Sequence, residues 1–164
     1  MTTKGPKTTL GGKAPEVVQD DYTTRVTFRA PRERVFDAIA TTGGVRGWWT
    51  TSVCGSGGAG GELRLEFEGL DEHIVLLIEK ANRPFAVQWS CLVHSGLPEW
   101  VGTKMMFDLV EHTPSECELS FRHMGLTPKL ECYDDCRLGW DHFLMSLVEY
   151  AERGRGTPWA YVTR

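Results

Sequence analysis

The chain has 164 residues, enough for one domain with a proper core, and its 41% hydrophobic and 24% charged residues are ordinary for a globular protein. Its formal charge of −4, from 18 Lys and Arg against 22 Asp and Glu, lacks the basic footprint that phosphate binding needs, so nucleic acid is not expected as a partner. No run of about 18 apolar residues is present to span a membrane, and the polar start of the chain has no apolar signal core, which points to a cytoplasmic setting.

Residues 1–20, rich in Thr, Lys, Gly and Pro, read as a disordered N-terminal tail. Tyr22, Val26 and Phe28 share one face of a strand over 22–30. Pro31 suits a helix start, and Val35, Phe36 and Ile39 then fall at helical spacing. A second short helix or turn is expected over the segment GGVRGWW, and a glycine-rich run leads from there into a strand at 62–68. In that strand Leu63, Leu65 and Phe67 point one way, and Glu62, Arg64, Glu66 and Glu68 the other. Further strands follow at 73–81, 85–93, 100–111 and 116–124. Phe85, Val87, Trp89 and Cys91 are expected on one face, Met105, Phe107 and Leu109 on another, and Cys117, Leu119, Phe121 and His123 on a third. The last element is a helix over about 131–153, with Cys136, Trp140, Phe143, Leu144, Leu147, Val148 and Ala151 on one face and Gly154 as its stop. A short tail closes the chain. Consecutive strands joined by short turns favour an antiparallel meander, here of about six strands with the long helix across it.

Gly55, Gly57 and Gly60 spell G-x-G-x-x-G, the dinucleotide fingerprint. That motif works where a glycine turn opens a helix, whose N-terminal amides hold pyrophosphate. Here it leads into a strand, so it reads as a flexible connection rather than a nucleotide site. The five cysteines are odd in number and scattered, which favours free, largely buried thiols. The histidines lack the spacing of a zinc motif, and no G-x-S-x-G elbow is present, so neither a metal nor a cofactor is expected.

Several segments together resemble one family. The run RVTFRAPRERVFDAIA resembles the opening strand and helix of the START-like, or SRPBCC, superfamily. The double Trp before GGEL, the segment IEKANRPFAVQW, the segment ELSFRHMGL and the C-terminal GWDHFLMSLVEYAERGRGTPW are similar to its branch named after the activator of Hsp90 ATPase homologue. In ELSFRHMGL a Glu precedes the Leu where Thr is usual. The resemblance covers residues 22–159 and implies an α+β helix-grip fold, a curved antiparallel sheet around a long C-terminal helix, with one domain over 21–159 and a C-terminal tail over 160–164. It also implies a cavity for a small hydrophobic ligand between sheet and helix. The candidate lining is Trp48, Trp49, Leu65, Phe67, Trp89, Met105, Phe107, Phe121 and His123, with Trp140, Phe143, Leu144 and Leu147 from the helix.

Three functions compete at this stage. The leading one is a binding module for a small hydrophobic or aromatic molecule. The second is an Hsp90 co-chaperone-like partner protein, weakened because no further segment of this sequence resembles the co-chaperone's N-terminal part. The third is an enzyme using His123 in the cavity as an acid-base group. Against that role stands a structural histidine, bonded to backbone or to a carboxylate such as Asp134 or Asp141. Monomer and dimer are equally compatible with the sequence.

Overall fold

A computed structural model describes residues 20–160, so most of the expected tail at 1–20 and the last four residues lie outside the described part. The order is β1 (Tyr22–Phe28), α1 (Arg32–Ala40), α2 (Thr42–Trp48), β2 (Ser52–Gly55), β3 (Glu62–Glu66), β4 (His73–Asn82), β5 (Ala86–His94), a 3-10 turn (Pro98–Trp100), β6 (Lys104–Thr113), β7 (Glu116–Met124) and α3 (Tyr133–Arg153). The strands form one antiparallel sheet in the order β1-β7-β6-β5-β4-β3-β2. The curved sheet and α3 make the helix-grip arrangement.

Alternation decides the faces. In β3 Leu63 and Leu65 are buried while Glu62, Arg64 and Glu66 are exposed, and β7 alternates from Cys117 to His123 in the same way. The two short helices bridge β1 and the far edge of the sheet. Thr41 ends α1 and caps α2, its hydroxyl accepting from the Gly44 amide at 2.9 Å. Helix α3 starts with Asp134 and Asp135 in its first turn, favourable near the positive end of its dipole. It stops at Gly154, which takes the left-handed conformation at φ 81°.

Two local expectations are corrected. Strand β2 is a seventh strand inside what reads as the glycine loop. Its four residues bury only Val53, too little for alternation to show in the sequence. Phe85 is 49% exposed rather than inward, because β5 starts only at Ala86 and the Phe85 amide closes a turn onto the Asn82 carbonyl; the Arg32 guanidinium lies over its ring.

The glycine run is therefore the hairpin between β2 and β3. Its amides are spent on protein carbonyls: Gly58 donates to Ala40 at 3.0 Å, Gly60 to Ile78 at 2.7 Å and Ser56 to Glu62 at 3.0 Å. A Cβ on Gly57 would stand 2.6 Å from the Ala40 oxygen, so glycine there permits close approach to the end of α1. That helix end presents carbonyls, which repel phosphate.

Candidate functional site

Aromatic side chains fill most of the space between sheet and helix. Trp48 is fully buried, its indole N–H donating to the Ala38 carbonyl at 2.8 Å, and its ring stacks on Trp49 and Trp89 at 5.7 and 6.4 Å. Trp89 packs on Phe107 at 4.7 Å, Phe107 on Phe121 at 5.1 Å, and Phe121 on Trp140 of α3 at 4.5 Å. Such contacts leave no room for a guest in this part of the molecule.

A cleft of about 220 Å³ opens beside this core, at the end where the β3–β4 turn, the β5–β6 connection and the start of α3 meet. Six aromatic rings wall it: Trp49, Phe67, Trp100, Trp140, Phe143 and Trp159. Leu70, Ile74 and Leu97 add aliphatic surface, and Glu72, His94 and Asp135 are its charged or polar side chains. For scale, an engineered apolar cavity of about 150 Å³ holds benzene. This cleft suits a molecule of one or two rings.

Each wall has a local cause. The Pro98–Trp100 turn swings Trp100 inward, where its indole N–H donates to Cys136 Sγ at 3.3 Å and its ring stacks on Trp140 at 6.1 Å. Trp159 arrives by the return of the chain after α3. Its amide donates to the Trp49 carbonyl at 2.7 Å, its indole to the Glu68 carbonyl at 2.9 Å, and its ring meets Phe67 edge-on. Buried Ser146 pins that return, donating to the Trp48 carbonyl and accepting from the Thr157 amide, both at 2.7 Å.

Two histidines flank the Trp100–Trp140 pair with different freedom. His123 is fully buried: its Nδ1 accepts from the Trp140 indole at 3.0 Å and its Nε2 lies 2.8 Å from the Thr103 hydroxyl. That hydroxyl itself donates to the Trp100 carbonyl at 2.6 Å, so the network closes with His123 neutral and protonated on Nε2. Burial, with the neighbouring His94 as the lesser cause, pulls its pKa down to about 3. Its partners are Trp140 and Thr103 rather than backbone, Asp134 or Asp141, and neither ring nitrogen is free for a ligand. His94, also buried, lines the cleft. Its Nδ1 accepts from the Leu97 amide at 2.9 Å, which leaves the proton on Nε2 as the free polar atom of the ring. Burial, and then His73, lower its pKa to about 4.

The family model described as Activator of Hsp90 ATPase homolog 1-like protein matches residues 29–152, about three quarters of the chain. The chain belongs to this family. Family and fold together place it in the START-like, SRPBCC superfamily. The Aha1 dimer from Colwellia psychrerythraea is similar at 25% identity and TM-score 0.71, over 83% of this chain and 98% of that one. The protein SSP2350 from Staphylococcus saprophyticus is similar at 19% identity and TM-score 0.68, over 85% and 97%. CalU16 from Micromonospora echinospora is similar at 20% identity and TM-score 0.63, over 84% and 77%. The last two likenesses concern the fold alone. No protein of curated function matches the sequence.

Within this family member, Trp49, Phe67, Trp140 and Phe143 of the sequence-derived residues meet around the cleft. Trp48, Leu65, Trp89, Met105, Phe107, Phe121, His123, Leu144 and Leu147 are packed in the core and do not line it. Sequence reasoning missed Trp100, Trp159 and His94. Trp100, expected at the start of a strand over 100–111 and opposite in parity to Met105, stands instead in a single 3-10 turn and is buried, because β6 begins only at Lys104; Trp159 lies beyond the helix stop, where no periodicity points inward. His94 follows an irregularity: Val75 pairs with Val93 but Leu76 with Cys91, leaving Leu92 out of register. That bulge reverses the alternation, so Val93 is exposed and His94 buried. Among the described residues no helix is long and apolar enough to cross a membrane.

Proposed function

We propose that this protein is a cytoplasmic START-like binding module that holds a small aromatic or hydrophobic molecule in the cleft between α3, the β5–β6 connection and the returning C-terminal segment. The observation that carries this reading is a cleft of about 220 Å³ walled by six aromatic rings, beside a core otherwise packed solid. A concave apolar pocket with a few polar atoms is how small-molecule sites are built. The single domain over 21–159 is the binding unit, and the expected contact residues are Trp49, Phe67, Trp100, Trp140, Phe143 and Trp159.

Isothermal titration with 2-phenylethanol tests the reading. A ligand of this size is expected to bind one to one with Kd of about 1 mM or tighter. Trp49→Ala is expected to weaken it about tenfold. No binding of 2-phenylethanol, or of any similar one-ring or two-ring compound, contradicts the proposal.

A second reading, a chaperone partner acting through its surface, is favoured by the family and by the relative described as an Aha1 dimer. It predicts co-purification with the cognate Hsp90 and stimulation of its ATPase; absence of both removes it.

A further inference from the structure

The cleft is asymmetric in charge. Among the described residues its lining includes the carboxylates of Glu72, from the β3–β4 turn, and Asp135, from the first turn of α3, but no Lys or Arg. Among the described residues neither carboxylate joins an ion pair, although seven other pairs form elsewhere on the surface. Glu72 is half-buried beside Gly96, where a Cβ would come within 2.6 Å of its carboxylate oxygen. Four tryptophans share the lining with these two groups: Trp49, Trp100, Trp140 and Trp159. Indole faces attract cations through their quadrupole, more strongly than the other aromatic rings do. His94 does not offset this charge. Its Nδ1 is taken by the Leu97 amide, so the ring stays neutral, and its Nε2–H is left as a donor within the lining.

From the coincidence of unpaired carboxylates, indole faces and a neutral histidine donor, we infer that the cleft selects an organic ammonium compound. The ligand is a primary or alkylated amine on a one-ring or two-ring apolar body. The body occupies the indole-lined space, the ammonium sits at the mouth against Glu72 and Asp135, and a hydroxyl or carbonyl on the body can accept from His94 Nε2. This deepens the proposed binding role and rests on it.

Three matched probes separate the two claims: phenethylamine, 2-phenylethanol and 3-phenylpropionate share a phenyl ring and differ in charge. Isothermal titration at neutral pH and low salt is expected to rank them in that order, with phenethylamine at least about tenfold tighter than 3-phenylpropionate. High salt is expected to shrink the gap, since the carboxylates are partly solvated. The double variant Glu72→Gln, Asp135→Asn is expected to bring the ratio to about twofold or less while 2-phenylethanol still binds, with a Kd within about threefold of the native value. Equal or tighter binding of 3-phenylpropionate by the native protein overturns the charge selection and leaves the binding role standing. Loss of the ratio in the variant together with loss of 2-phenylethanol binding also overturns it, because the carboxylates then act by holding the cleft together. Failure of all three probes to bind overturns the binding role itself.

Discussion

Trp48 and Trp49 are neighbours in sequence and stack on each other, yet they belong to different regions. Trp48 faces the closed core, where Trp89, Phe107 and Phe121 meet ring to ring and where both ring nitrogens of buried His123 are bonded. Trp49 faces the cleft with Trp100, Trp140 and Trp159, where His94 keeps one nitrogen free. Trp140 joins the two, its ring on the cleft and its indole N–H on His123. The lesson is that residue type does not separate packing from binding here. Both regions are tryptophan-rich, and what distinguishes them is whether neighbouring layers close over the rings.

The comparison can be broken first at its closed end. Trp48→Ala is expected to cost about 3–5 kcal/mol in urea unfolding, as truncation of a fully buried aromatic does, and loss below about 1 kcal/mol contradicts a tightly packed core.

Acid is expected to act next. The folded pKa values of about 3 for His123 and about 4 for His94 lie below the 6.5 of an unfolded histidine, so the unfolded chain binds more protons between them. Stability is therefore complete above about pH 6.5 and falls as pH drops toward 4 and 3. Each histidine removes about 1.4 kcal/mol per pH unit in that window, or about 2 kcal/mol by pH 5. His94→Asn, whose side-chain oxygen can replace Nδ1 as acceptor for the Leu97 amide, is expected to reduce this loss by about half. An unchanged loss contradicts the role given to His94.

Ser146→Ala leaves the Thr157 amide and the Trp48 carbonyl without their partner and is expected to cost about 1–2 kcal/mol. It should also loosen the returning segment that carries Trp159, seen as faster amide exchange at Thr157 and Trp159. Trp159→Ala, on the open side, is expected to cost only about 1 kcal/mol in stability while weakening 2-phenylethanol binding several-fold. A larger stability cost with no effect on binding places Trp159 with the core rather than with the cleft.

Much of the fold was legible because alternation and helical spacing record burial directly. Leu63 and Leu65 in β3, Leu119, Phe121 and His123 in β7, and Trp140, Leu144 and Leu147 in α3 all point inward as their spacing implies. The same signal explains the over-reading of the site: period two marks which side chains face the helix, not which of them other side chains cover. Met105 and Phe107 face inward and are wholly covered. The cleft itself is built where periodicity ends, in the Pro98–Trp100 turn, in the segment after Gly154 and at the bulge before His94. Those features depend on tertiary closure, which single-sequence spacing does not encode. The glycine fingerprint shows the opposite error, a local pattern whose amides the hairpin spends on its own protein.

The division between closed core and open cleft is tested most directly by the six indole N–H resonances in a nitrogen-proton NMR spectrum, one for each tryptophan. On titration with 2-phenylethanol, the signals of Trp49, Trp100, Trp140 and Trp159 are expected to move in a saturable way, while those of Trp48 and Trp89 stay in place. Comparable movement of Trp48 and Trp89, or no movement of any indole, would contradict the account.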